Sequence, residues 1–181
     1  MEFIPLALPG LILIRPGAAH DARGLFLKTY HQEMFFREGI HFVPKEEFYS
    51  ISKAGVLRGM HFQAPPSDYS KLVHCVRGRI HDVALDLRLG SPTYGQVWSG
   101  ELNSISRESL YLPTGFAHGF LSLEEDSIVS YSTSHIHDSR LDSGIHWDSF
   151  GHSWPCSTPN ISPRDGGLPL LDGFSSPFTY L

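Results

Sequence analysis

The sequence predicts an all-β fold, a double-sheet jelly roll with short peripheral helices and a loop-rich C-terminal segment. Three observations carry this. Short apolar segments follow one another at roughly 8- to 12-residue spacing with turn residues between them, the pattern of a sandwich or barrel. The 17 Gly and 13 Pro in 181 residues exceed an ordinary combined share of about 12%, which favours turns. Charged residues make up 18% against a usual value of roughly 25%, which disfavours long solvated helices.

The elements follow in order. A first strand is expected at residues 11–14, then the turn-rich PGAAHDARG at 16–24, then a strand at 24–30. HQEMFFRE at 31–38 is the best short helix, stopped by Gly39. Strands at 48–52 and 56–61 precede the APP turn at 64–66, and strands at 71–77 and 78–86 are separated by the Arg77-Gly78 turn. After GSP at 90–92 come strands at 95–102 and 109–112, then the PTG turn at 113–115 and strands at 117–122 and 127–133. In IHDVALDL, alternation puts Ile80, Asp82, Ala84 and Asp86 on one face, so two inward carboxylates are expected to mark a polar pocket. Beyond about residue 135 Ser, Pro, Gly and Asp dominate. The length suits one domain, taken as 1–172, with 173–181 as a peripheral tail whose Phe174, Phe178 and Tyr180 are free to pack on a neighbouring subunit. No repeat or low-complexity run occurs.

Composition removes several functions. A net charge of -5 and a pI near 6.1 argue against nucleic acid or an anionic membrane as the main partner, which would need a basic surface. Two cysteines, Cys75 and Cys156, make neither a disulfide framework nor a zinc pattern. The N-terminus is broken by Pro5 and Pro9 and has no positive leader, so a soluble cytoplasmic protein is expected. Eleven histidines are the unusual count.

The densest polar group is Arg58, His61 and Gln63 in VLRGMHFQ, followed by Lys71. On a strand, His61 and Gln63 share a face, while Arg58 joins them only through a bulge at Gly59 or a long reach. An edge strand with scattered polar residues fits the same text. His118 lies between Gly115 and Gly119 in PTGFAHGF, as a pocket residue or a hydrogen-bonded interior histidine. His135 and His137 stand in a Ser/Asp-rich loop and supply no convincing metal set, so no metal is expected. Tyr131 is a strand aromatic, and Asp165 and Arg23 sit in turn-like text. No GxSxG, phosphate loop or dinucleotide fingerprint occurs, which leaves side-chain acid-base chemistry.

As a set, DARGLF at 21–26, SISKAGVLRGMHFQAPP at 50–66, KLVHCVRGRIHDVALDLRLGSPTYG at 71–95, LYLPTGFAHGF at 110–120, and WP with ISPRD within 154–165 resemble the dTDP-4-dehydrorhamnose 3,5-epimerase family of cupin jelly rolls. The resemblance implies a cofactor-independent homodimer that inverts C3, C5 or both of a nucleotide-diphosphate 4-keto-6-deoxy sugar. By motif, His61 is the implied base, Asp165 the carboxylate that orients it, Lys71 the stabiliser of the enolate oxygen, and Tyr131 the acid. Arg58 and Arg23 are implied for the pyrophosphate, Gln63 and His118 for the sugar pocket, and Asp82 for support of Lys71. The DARGLF segment, with Arg23 and Phe26, is implied to reach the partner's site.

Two departures alter the specificity shell. Where the family has Gln, an acidic residue and Asn, this chain has Glu46, Glu47 and Phe48. Where it has a Glu after DARGLFL, this chain has Lys28, a donor-only group that suits cytosine better than thymine and so implies a nucleotide other than dTDP, such as CDP. Competing readings are a sugar 3,4-ketoisomerase, a non-catalytic carbohydrate-binding jelly roll, and a metal-dependent cupin. The survival of the whole proton-transfer set argues against the first two.

Overall fold

The structure, a computed structural model, describes residues 1–180. Two antiparallel sheets face each other. Along the chain run β1 (Glu2–Pro5), β2 (Ile12–Arg15), β3 (Ala18–Asp21), β4 (Gly24–Leu27), α1 (Gln32–Arg37), β5 (Glu46–Ser52), β6 (Leu57–Gln63) and β7 (Lys71–Arg77). They continue as β8 (Arg79–Asp86), β9 (Val97–Asn103), β10 (Ser109–Leu112), β11 (Phe116–Ser122), β12 (Ser127–Thr133), β13 (Asp142–Gly144) and α2 (Pro163–Gly166). One sheet has the order β1-β2-β10-β7-β12-β5, the other β13-β6-β11-β8-β9, and β3 and β4 form a hairpin apart from both. This is the expected jelly roll.

Between the sheets lie Val73, Cys75, Leu110 and Val129 from the first, packed on Ile80, Ala84, Leu102 and Phe120 from the second. The outer faces are covered too. Helix α1 and its flanks press Phe35, Ile40 and Phe42 onto Ile14 and Leu72. On the other side Ile145, Trp154, Phe174 and Phe178 cover Val83, Leu85 and Leu87. The expected peripheral tail is therefore anchored on its own chain through Phe174 and Phe178: Phe178 is only 5% exposed, and Thr179 bridges to Leu89. Phe174 and Phe178 pack on their own chain, because the odd-numbered apolar residues of β8 need a cover. Leu181 lies outside the described residues. Among the described residues no helix is long and apolar enough to cross a membrane.

Strands β1, β3 and β13 have no counterpart in the sequence reading. Ala18–Asp21 is exposed throughout and carries no apolar alternation, so only its pairing with β4 makes it a strand. Asp142–Gly144 is likewise recruited by its pairing with β6. Asp82 and Asp86 share a face and are fully buried, as alternation requires. Their surroundings differ, however. Asp86 is taken up by Arg88, Ser91 and Thr93 in the turn after β8 and contributes nothing to a pocket.

Of the two routes open to Arg58, a bulge at Gly59 or a long reach, the chain takes the bulge. Between Arg58 and His61 the chain of β6 takes three steps where β11 takes two, from Phe120 to His118. The extra residue brings Arg58 and His61 toward the same cavity. Gly59 has φ +133°, and a Cβ there would lie 2.5 Å from the Gly119 Cα. Replacing Gly59 by alanine is expected to cost about 3 kcal/mol through overpacking and lower the Tm by roughly 6 to 12 °C. Calorimetry showing an unchanged Tm would remove the need for glycine at this position.

Candidate active site

The site is a cavity of about 710 Å³ opening between the sheets. Strand β6 supplies Arg58 and His61, β7 supplies Lys71, β11 supplies His118 and β12 supplies Tyr131, while Asp165 comes from α2. His61 stands on one sheet and Lys71 and Tyr131 on the other. Groups separated by a hundred residues thus face one another across a single space.

Asp165 is buried at the start of the short α2 turn, where the Ser162 hydroxyl accepts its backbone N–H at 3.0 Å. Its Oδ1 lies 2.7 Å from His61 Nε2 and its Oδ2 accepts the Gly59 N–H at 3.2 Å. Burial works against the charge of Asp165, yet the hydrogen bond and charge of His61, the Gly59 amide and Arg164 hold its carboxyl below the ordinary value. An ionised carboxylate only accepts, so Nε2 carries the proton and Nδ1 keeps the lone pair. Burial lowers the His61 pKa, with Lys71 and Arg164 adding to the effect and Asp165 opposing it. Neutral imidazole, the form that can take a proton, is therefore favoured.

Lys71 is buried, donates to the His61 carbonyl at 3.2 Å, and lies over the Tyr69 ring at 5.3 Å. Burial depresses its pKa to about 8, against the opposing pull of Asp142 and Asp82. Asp82 does not bond Lys71 directly. It holds His118 Nε2 at 2.7 Å and reaches the lysine only through charge. Tyr131 is buried, which raises its phenol well above the ordinary value and keeps it protonated.

These directions set a pH profile. As pH falls, His61 gains its proton at a value below the ordinary histidine pKa and ceases to be a base. As pH rises through about 8, Lys71 loses its charge. The expected kcat/KM is a plateau from below the ordinary histidine range up to about 8, falling on both sides. A profile still rising beyond that alkaline limit would remove Lys71 as the charged partner.

Other expected residues are placed differently. Gln63 is buried but outside the cavity: its amide donates to Ile136 O at 3.1 Å and to Ser67 O, and its oxygen accepts the Asp138 N–H at 2.7 Å. It ties two loops together instead of touching a sugar. Glu47 points to the outside of β5 and accepts the Ser132 hydroxyl at 3.0 Å, while alternation turns Glu46 and Phe48 inward. Arg23 and Phe26 lie on the exposed hairpin and Lys28 just past it, away from the cavity of their own chain. Arg23 is paired with Asp21, and Phe26 is 67% exposed. His137, which stands in the Ser/Asp-rich loop, lines the cavity, and its backbone N–H donates to Glu46 at 2.6 Å. Sequence reasoning also passed over Arg164, whose Nη2 meets Asp142 at 2.6 Å and whose Nη1 is 3.3 Å from His61 Nε2. Its place beside Asp165 in ISPRD was the available signal.

A histidine–carboxylate dyad on one wall, with a buried ammonium and a protonated phenol on the other, is the equipment of a jelly-roll enzyme that takes a proton from carbon and returns one from across the cavity. The family model for dTDP-4-dehydrorhamnose 3,5-epimerase matches residues 5–173, and the chain belongs to that family. It is similar to a dTDP-4-dehydrorhamnose 3,5-epimerase of Sinorhizobium fredii, 37% identical over 100% of this chain and 95% of that protein. A dTDP-4-dehydrorhamnose 3-epimerase of Streptomyces niveus is 38% identical over 94% of this chain and 84% of its own. Among solved structures, the Legionella pneumophila enzyme in complex with dTDP-4-keto-L-rhamnose aligns with TM-score 0.94 at 29% identity, covering 99% of both chains.

Proposed function

We propose that this protein epimerises C3, C5 or both of a nucleotide-diphosphate 4-keto-6-deoxy sugar without a cofactor. The observation that carries the reading is His61 and Tyr131 on opposite sheets with Lys71 beside them. The ketone acidifies the neighbouring carbons. His61 Nδ1 takes the proton, the electron pair moves onto the carbonyl oxygen, and the Lys71 ammonium stabilises the resulting enolate. The Tyr131 hydroxyl then protonates the carbon from the other side, the centre is inverted, and the site is restored when the His61 imidazolium releases its proton to solvent and the Tyr131 phenolate takes one up.

Arg58 has its guanidinium at the cavity, where Nε donates to the Ser52 hydroxyl at 3.0 Å. A planar fork of this kind suits a diphosphate better than a lysine does. The detached, exposed β3–β4 hairpin with Arg23 and Phe26, and Lys28 just past it, supports a homodimer in which each chain reaches into its partner's site. Under that arrangement Lys28 meets the base, and a cytosine nucleotide is favoured over a thymine one.

Proton NMR in deuterated buffer with dTDP-, CDP-, GDP- and UDP-linked 4-keto-6-deoxy sugars tests the reading. Loss of the C3 or C5 proton signal with inversion is expected, and the carbon that exchanges gives the regiochemistry. No exchange with any member of the panel would overturn the epimerase; carbonyl migration would make it a ketoisomerase. Faster turnover of the dTDP sugar than of the CDP sugar would dispose of the Lys28 argument alone.

A further inference from the structure

We infer that Phe48 is a positioning residue for Tyr131, holding the phenol where it can protonate the carbon that His61 has deprotonated. This rests on the epimerase reading above. Phe48 and Tyr131 are direct cross-strand partners on β5 and β12. Their rings stack, with centroids 4.8 Å apart and planes 16° from parallel. His118 meets the tyrosine edge-on at 6.2 Å, and is itself fixed by the fully buried Asp82. The ring is thus bounded by an aromatic face and a tethered imidazole.

Ser50, two residues on from Phe48 and therefore on the same face, lines the same cavity with a buried hydroxyl. Phe48 itself is 46% exposed although it lines the cavity, and β5 is the last strand of its sheet. A large apolar residue that gains so little from its own burial is well placed to act through what it covers. It keeps solvent from one face of the acid and restricts the tyrosine to a single ring plane.

Proton removal and proton return are separable in this chemistry. If Tyr131 is misaligned, His61 still removes the carbon-bound proton, exchanges it with solvent, and returns a deuteron to the face it came from. The sugar then acquires deuterium without inverting. Phe48→Leu is therefore expected to lower the ratio of inversion to exchange by roughly two- to tenfold, the range an aromatic pair contributes. Phe48→Tyr, which restores a stacking ring, should recover the ratio, and Tyr131→Phe should show the same defect in stronger form.

The experiment follows deuterium incorporation and product stereochemistry by NMR with the intact protein. A selective fall in inversion that Phe48→Tyr rescues supports the positioning role. Inversion and exchange falling by the same factor, an unchanged ratio, or a rise in KM alone would each overturn it. Absence of exchange in the unaltered protein would overturn the epimerase reading and the inference with it, whereas normal exchange with an unaffected ratio would remove only the role of Phe48.

Discussion

Replacing His61 by glutamine is expected to reduce sugar hydrogen exchange by about 100- to 10,000-fold, the contribution of a positioned general base. Glutamine carries an amide at the distance of the imidazole Nε2, so it can still donate to Asp165, whose Oδ1 is 2.7 Å from His61 Nε2 in the unaltered protein. The dyad partner is then not left as a buried carboxylate with nothing to hold. It has no group that can take a proton from carbon. The loss should therefore appear in kcat and in exchange together, with the Tm nearly unchanged. Exchange persisting at the unaltered rate in this variant would move the base to another residue, and His118 would be the first to examine.

The second large effect is expected from Lys71→Met. Removing a donor to a developing oxyanion costs about 2.7 to 4 kcal/mol, or roughly 100- to 1,000-fold in kcat. Methionine keeps the length of the side chain and lies easily against the Tyr69 ring that Lys71 now covers. Because Lys71 is buried and its pKa is pushed down to about 8, its charge is held at a cost to the fold. The variant should be at least as stable as the parent while being far less active. Its pH profile should also lose the alkaline fall that the parent shows above about 8. Stability and activity falling together would instead make Lys71 a structural residue.

The two predictions depend on features of unequal visibility in the sequence. His61, Lys71, Tyr131 and Asp165 are implied for acid-base work by the resemblance of the motifs that hold them, and the structure gathers all four at one cavity. Gln63 shows where that reasoning fails. It shares a strand face with His61, but the loops carrying Ser67, Ile136 and Asp138 close over it and consume its amide. Alternation specifies a face; it does not say what covers the end of the strand. Glu47 fails in the other direction, since the register of β5 against β12 points Glu46 and Phe48 inward and leaves Glu47 outside.

The segment after residue 135 is the clearest case of a missing local signal. Its Ser, Pro, Gly and Asp content reads as loop, yet it provides Asp142, Arg164 and Asp165 at the cavity and Trp154, Phe174 and Phe178 on the outer face of β8. Irregular backbone has no period by which an inward residue can be recognised. Its order comes from contacts made elsewhere, such as the Trp154 indole donating to Trp147 O at 2.9 Å and the Leu171 N–H donating to the Ser149 hydroxyl at 3.0 Å.

By itself the sequence determined the two-sheet class, the positions of most strands, the glycine that allows a bulge at residue 59, and, through its resemblance to one family, the residue types at the site. Those properties are local: period-two burial, turn-forming residues, and side chains that either can or cannot move a proton. Only the tertiary structure decided that Asp165 fixes the His61 tautomer across 104 residues, that Asp86 is spent on Arg88, and that Phe48 covers Tyr131. Each of these depends on which strands become neighbours and in what register, and a long-range choice of that kind is settled by the packing of the whole sandwich.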